Sequence, residues 1–350
     1  MALDLLKKKT DAGVGVARDE DAPTPWFQAL LGRVGQFWTL GVLIVLIVLF
    51  GTISSTMYTQ AAWNSTSGYA VEYLILAVGE TFVILTGGID LAVGATMGFS
   101  GMAGALVMSN MLAHGGSQGL ATILGIVMML AAGTAIGLVN GLIITKMKIP
   151  PFIVTLGTMT AIMGGTDLLN NGGEVTNLTN FMGSLGADTF FGGWLNYPVV
   201  VALLVAVVAS FVLSRTRFGM RTYSIGSNEI AARRAGIHVD RHLIRVYVIS
   251  GFLSGVAALM VTANLSSANA TTGTANDNLY AIASVIIGGA SIFGGRGTIL
   301  GTFIGTSIIA VLETGLVLAN VAPFWQQVAI GAIIVTAVAI DRIRVRAGTD

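Results

Sequence analysis

LNYPVVVALLVAVVASFVLSRTRFGMRTYSIGSNEIAARRAGIHVDRHLIRVYVISGFLSGVAALMVTA, residues 195–263, decides the class of fold. Its two ends, 195–214 and 242–263, are each close to the roughly 20 apolar residues that a helix needs to cross a bilayer. Between them lies a polar connection, 215–241, rich in arginine. Backbone groups in lipid find no water to bond, so a spanning segment of this length satisfies them only as a helix. The stretch therefore reads as helix, polar connection, helix.

Outward from it, the same length criterion places spans near 37–53, 68–86, 91–112, 118–145 and 150–169 before it, and near 278–292, 297–318 and 321–340 after it, about ten in all. The composition agrees. AVILMFWYC residues make up 54% of the 350, DEKR residues only 10%, and the mean hydropathy is +0.81, where soluble domains carry about 25% charge. The longest polar connections, 168–194 and 215–241, are too short for a soluble domain. The expected fold class is an all-α integral membrane protein of one membrane domain, 37–341, with a tail and a possible interfacial helix in 1–36 and a short tail at 342–350. Trp26, Leu30, Leu31, Val34 and Trp38 share one face and carry the interfacial reading. Lys7 to Lys9 are separated from the first apolar run by an acidic stretch, which does not suit a cleavable signal.

A formal charge of +1 conceals a complete segregation. All 18 lysines and arginines fall on one side of the span map: Lys7 to Lys9, Arg18 and Arg33; Lys146 and Lys148; Arg215 to Arg245 around the long connection; Arg296; and Arg342 to Arg346. Loops 54–67, 170–194 and 264–277 contain none. The positive-inside rule then puts both termini, and the 215–241 connection, in the cytoplasm. Absence of cysteine excludes disulfides and thiolate metal sites.

Glycine, 46 residues, does two things here. Gly133, Gly137 and Gly141, and again Gly297, Gly301 and Gly305, recur every four residues, about one helical turn, which lines one face for close packing. Gly87-Gly88 after the second span, and Gly288-Gly289 with Gly294-Gly295 after the eighth, interrupt helices instead. Their flanks, VILTGG and VIIGGA, are loosely alike and suggest an internal repeat.

Intramembrane polar groups are the candidate functional residues, because a carboxylate at the bilayer centre costs ~2.5–3.5 kcal/mol. Glu80, with Thr81 beside it, has no helix end near and suits a polar pathway or an interhelical bond. Asp90 opens a helix and suits capping of its backbone N–H groups. Glu72 and Glu313 can reach the interface opposite the basic residues. Asn140, Thr155, Thr158 and Thr160 are neutral polar groups within spans. No catalytic or metal site is expected: His114, His238 and His242 lack partners at a recognisable spacing, and no HExxH occurs. GASIFGGRGT, 289–298, has Arg296 where a phosphate loop has lysine and follows no strand, so ATP energy must come from another chain. Within 215–241, a short helix is expected with Ser227 or Asn228 as its cap, EIAARRA as its body and Gly236 as its stop. Such a capped helix suits docking, beyond the attraction of a basic loop for lipid headgroups.

Four motifs occur in order: ILTGGIDLAVGATMGFSG (84–101), GLVNGLIITKMKIPPFIVTLGTM (137–159), FGMRTYSIGSNEIAARRAGI (218–237) and SVIIGGASIFGGRGTILGTFIG (284–305). On these the chain resembles the permease subunits of bacterial ABC importers for monosaccharides, the ribose permease family, from about residue 37 to 345. The resemblance implies an ABC importer permease fold in the bacterial inner membrane, paired with a second copy or a close relative. It also implies an ABC ATPase with two fused nucleotide domains, carrying ATP and Mg, and a periplasmic or lipid-anchored sugar-binding protein. By the same resemblance Glu229, Ala231, Ala232 and Gly236, with Ser227 and Asn228 before them, match the family's coupling helix, EIAARRAG standing where the older pattern has EAA followed by Gly. Glu80, Thr81, Asp90, Asn140, Thr155, Thr158 and Glu313 are the expected pathway residues. No cofactor is expected in this chain itself, and no nucleic acid partner. The competing class is an ion- or proton-coupled transporter working alone, with Glu80 and Asp90 as a relay; an intramembrane enzyme lacks any catalytic set. Ribose, xylose, galactose, fructose and inositol all remain open as substrates.

Overall fold

The structure is a computed structural model that describes residues 25–269, 272–273, 275–322, 324–332 and 335–336. Residues 1–24 of the expected N-terminal segment 1–36, and the expected tail 342–350, lie outside the described residues. α1 (Pro25–Ile53) is continuous, so the interfacial helix and the first span of the sequence reading are one element. Gly32 and Gly35 do not break it. A 3₁₀ turn, Ser55–Tyr58, leads into α2 (Gln60–Leu85), whose first turn is capped where the Thr59 hydroxyl accepts from the Ala62 N–H. α3 (Val93–Ala113) and α4 (Gln118–Met147) follow. α4 stops where Lys148 takes a left-handed φ of 55°, and Pro151 opens α5 (Pro151–Asn170), at a position whose N–H would have no helical acceptor.

α6 (Asn180–Ala187) and a hairpin of β1 (Thr189–Phe190) with β2 (Leu195–Asn196) occupy what the sequence presents as a plain loop. Then come α7 (Tyr197–Arg215), α8 (Arg217–Ser227), α9 (Glu229–Arg234), α10 (Val239–Leu265), α11 (Ala275–Ile287) and α12 (Ile299–Leu318). Helix continues over 324–332 and 335–336, within the expected last span. Among the described residues six helices, α2, α4, α5, α7, α10 and α12, are long and apolar enough to cross a membrane. With α1, α3, the short α11 and the last stretch, the bundle fills the place of the ten expected spans.

The connections gather at two ends. At one, Gln60 Nε2 donates to the Gly192 carbonyl (2.7 Å), Trp63 Nε1 to the Trp194 carbonyl (2.5 Å), and Val175 pairs with Ala268. The opposite end, here the basic end, holds the turn after α2, the α4–α5 junction with Lys148, the helix α9 and the α11–α12 connection with Arg296; the first three line one cavity of about 550 Å³, and the fourth bonds the end of α2, Gly295 N–H to the Leu85 carbonyl at 3.0 Å. α2 and α10 form the centre, buried around Ile75, Leu76, Phe82, Tyr247 and Ala257, while α4, α5 and α7 keep broad exposed apolar faces.

The four-residue glycine spacing works as packing. A methyl group on Gly133 would overlap the Gly251 carbonyl oxygen, one on Gly137 the Tyr247 carbonyl, and one on Gly251 the Gly133 carbonyl. α4 and α10 thus lie backbone against backbone, each supplying the notch for the other. Gly301 and Gly305 do the same for α12, against Gly288 and Ser284 at the end of α11.

Both glycine interruptions are real breaks. After α2 the chain turns through Gly87 (φ 81°) and comes back beside it, so α3 starts inside the bundle. α11 stops after 13 residues, before the apolar run 278–292 ends, because Gly289 takes a φ of 90°; Gly294 and Gly295, at 87° and 75°, turn the connection that follows. The two broken helices also meet deeper in, where Asn278 Oδ1 accepts from the Gly94 N–H at 2.5 Å. Thr272 and Gly273 press on Gly94 and Gly98 there, so part of the expected outer loop 264–277 dips into the bundle.

Candidate functional site

At the basic end, α8 and α9 are two short helices separated by the extended Asn228. α8 is anchored on α10: the Thr222 hydroxyl bonds His242 Nε2 at 2.9 Å, and the Phe218 ring lies 4.4 Å from the His242 ring. Asn228, of the two cap candidates, starts α9, its Oδ1 accepting from the Ala231 N–H at 2.9 Å. Gly236, with φ of 82°, ends that turn. Glu229 and Asp240 both accept from Arg233, at 2.8 and 2.5 Å. These exposed pairs hold the side chain's direction more than they add stability. The two carboxylates, Asp240 first, push the Arg233 guanidinium further up from its ordinary range, so it stays charged. Only Ala232 of α9 is buried, in a small cluster with Ile225 and Val239; Ile230 is 66% exposed, and Ala231 and Ala235 are exposed beside it. α9 therefore presents a small apolar knob edged by arginine. Asn228→Ala is expected to cost about 1 kcal/mol of local helix stability, read as faster hydrogen exchange confined to 229–235.

Deep in the bundle, Glu80, Asp90, Tyr247 and Ser250 come together, all almost fully buried. Glu80 Oε1 accepts the Asp90 N–H (3.0 Å). Asp90 Oδ1 accepts the Ala92 N–H (3.0 Å) and Oδ2 accepts the Ser250 hydroxyl (3.2 Å). Asp90 thus holds the turn before α3, two residues ahead of the N-cap Ala92, and ties it to α10. Glu80 Oε2 and the Tyr247 hydroxyl have no partner among the described residues.

The remaining expected pathway residues do not join this cluster. Thr81 pairs with Thr302 at 2.8 Å, linking α2 to α12. Thr155 is buried and bonds the carbonyls of Pro151 and Ile89, at 3.0 and 3.2 Å, fastening α5 to the broken-helix turn. Thr158 bonds back to Thr155, and with Asn140 lines a shallow cavity of about 320 Å³. Asn140 Oδ1 is buried and has no hydrogen-bond partner among the described residues. Glu313 is at the other end, accepting the Tyr73 hydroxyl at 2.8 Å. Glu72 borders a separate cavity there, of about 420 Å³, with Asn64 and Asn264.

Sequence reading singled out none of Tyr247, Ser250, Asn278 or Tyr73. The available signal was a polar residue inside an apolar run, as in NDNLYAIASVII, 276–287. Thr160 and Thr155, alike as polar groups within one span, are separated by the structure: Gly157, Thr160, Gly164 and Asp167 share the exposed face of α5, with open space beside both glycines. Among the described residues no three His, Cys, Asp or Glu side chains are placed to hold a metal.

Broken helices, backbone-packed spans and a short helix presented beyond them define a multi-pass membrane permease. The chain belongs to the family described as "Branched-chain amino acid transport system / permease component", which matches residues 64–338. It is 39% identical over 317 residues to the ribose import permease of Bacillus subtilis (strain 168), covering 90% of this chain and 94% of that protein. It is 34% identical to the D-allose transport permease of Escherichia coli (strain K12), over 88% and 92% of the two chains. The fructose import permease of Rhizobium meliloti is 34% identical, over 86% and 83%. No solved structure matches the chain.

Proposed function

We propose that this chain is the membrane-spanning subunit of an ATP-driven importer for a monosaccharide or related polyol, in a bacterial inner membrane. The observation that carries it is identity of 33–39% with ribose, allose and fructose import permeases along most of the chain. The basic end faces the cytoplasm by the positive-inside rule. There α9 meets a separate ATPase with two fused nucleotide domains, which binds ATP and Mg, and an external sugar-binding protein delivers substrate to the other end.

A second copy or close relative covers the exposed face of α5. Glycines on an exposed spanning face favour close approach of another helix, and Thr160 at mid-helix offers the sugar a neutral hydroxyl. Closure of the ATPase on ATP draws two α9 helices together and rocks the bundles, opening the path between the α5 faces in turn to either side. Neutral hydroxylated substrates need only such modest polar lining.

The direct test is uptake of labelled ribose, allose and fructose by vesicles holding this chain with its ATPase and binding protein. ATP-dependent uptake of one of them is expected; gradient-driven uptake by this chain alone would replace the reading. The absence of cysteine allows a second check on the path. Thr160→Cys should be blocked by a water-soluble thiol reagent, while Val207→Cys, on an exposed apolar face of α7, should keep its uptake.

A further inference from the structure

Behind α9, three segments from distant parts of the chain touch through their backbones. A methyl group on Gly226, in the last turn of α8, would overlap the carbonyl oxygen of Leu85 at the end of α2, and would meet the Gly295 amide. That amide already donates to the same Leu85 carbonyl, at 3.0 Å. A methyl on Gly294 would lie 2.9 Å from the Gly87 amide nitrogen and 3.0 Å from Gly226 Cα. Close by, the Tyr223 hydroxyl donates to the Gly297 carbonyl at 2.8 Å. Burial pushes the Tyr223 phenol up, so it remains a donor throughout the physiological range. The corner before α9 is thus set against both glycine interruptions, one after α2 and one before α12. On another side α9 borders the cavity of about 550 Å³, between Glu229, Arg233, Lys148 and Gly87, which leaves room for it to shift.

Contacts between side chains absorb a displacement by changing rotamer, whereas backbone-to-backbone contacts have no such slack. We propose that Gly226, with Tyr223 beside it, is the joint through which movement of α9 reaches both broken helices at once. The joint rests on the reading of α9 as the ATPase-coupling helix. A displacement of the α8–α9 corner pushes the Leu85–Gly88 turn and the Gly294–Gly297 segment together. The same two broken helices are tied again deeper in the bundle by Gly94 and Asn278, so α3 and α11 follow as a unit. Gly226 and Tyr223 act on the transported sugar only through these elements and are positioning residues.

The test is the ratio of sugar taken up to ATP hydrolysed, in vesicles carrying the complete importer. Gly226→Ala is expected to lower that ratio about tenfold, within the usual size of allosteric coupling, with the ATPase still bound and hydrolysing ATP. Tyr223→Phe keeps the ring and removes one hydrogen bond, and should lower the ratio about threefold. A ratio unchanged in both variants overturns the joint and leaves the importer reading standing. A proportional fall in uptake and hydrolysis also overturns it, since that is a loss of intact complexes rather than of coupling. If Gly226→Ala does not assemble, Tyr223→Phe decides. An unmodified importer that takes up none of the sugars would remove the importer reading, and the joint with it.

Discussion

Gly137→Leu is expected to leave almost no folded protein in the membrane. At Gly137 the α4 backbone lies against the α10 backbone, and even a methyl group would overlap the Tyr247 carbonyl oxygen and approach Gly251 Cα to 3.1 Å. Gly133, one turn before, is as close to α10, and a methyl on Gly141, one turn after, would lie 3.0 Å from Ile244 Cα, so the helix cannot tilt to make room. Overpacking where a side chain can yield costs ~1–3 kcal/mol. Here the obstacle is backbone, so the loss lies at or above the top of that range, against a total stability of about 5–15 kcal/mol. Gly137→Ala should be intermediate. Gly119→Leu is the control, since Gly119 has nothing within 4 Å of the added carbon. The measurement is the monodisperse fraction after mild detergent extraction, followed by the midpoint of unfolding in a denaturing detergent. Equal midpoints for Gly137→Leu and Gly119→Leu would show that α4 and α10 do not pack this way.

The same pair of helices shows what sequence can and cannot disclose. A repeat of glycine every four residues in α4 announces a packing face, because the helical turn is local geometry. Its counterpart in α10, Gly251 and Gly255, had no such prominence, and nothing local says which helix will meet which. Spans were legible from apolar length, and 118–145 against Gln118–Met147 differs by only the last turn. α11 was not, because its apolar run continues to 292 while positive φ at Gly289 ends the regular helix earlier. α6 and the hairpin after it are too short to show any period. Caps are again local, so Gly236 is legible as the stop and the N-cap narrows to Ser227 or Asn228, of which the structure selects Asn228. Thr155 and Thr160 were alike as sequence and opposite in burial, which only the packed fold decides.

Among the described residues no lysine or arginine bonds Glu80 or Asp90, and the pair is accommodated by backbone N–H groups and a hydroxyl. Asp90 is ten residues from Glu80 and 160 from Ser250, so only the helix break and the α2–α10 contact assemble the cluster. Its hydrogen bonds define what each oxygen does: Glu80 Oε1 and Asp90 Oδ1 accept from backbone N–H groups, and Asp90 Oδ2 accepts from a hydroxyl that can also act as an acceptor.

Those roles predict that the cluster needs acceptor oxygens rather than ionisable protons. Asp90→Asn keeps the carbonyl oxygen for the Ala92 N–H and turns an amide N–H toward the Ser250 hydroxyl. Glu80→Gln keeps an acceptor for the Asp90 N–H and gains a donor beside the unpartnered Tyr247 hydroxyl. Both amides, and the double variant, should therefore retain ATP-driven uptake within about twofold, a change worth less than one net hydrogen bond. Asp90→Ala removes both acceptors, leaving the Ala92 N–H and the Ser250 hydroxyl buried without partners, at about 1–3 kcal/mol for each. It should abolish uptake by releasing α3 from α10 at the break. A proton relay through these carboxylates predicts the reverse for the amides, which cannot titrate: Asp90→Asn would be as dead as Asp90→Ala. Comparing uptake by the two variants at equal amounts in the membrane separates a hydrogen-bonded strut from a relay, and with it the ATP-driven permease from a transporter that works alone.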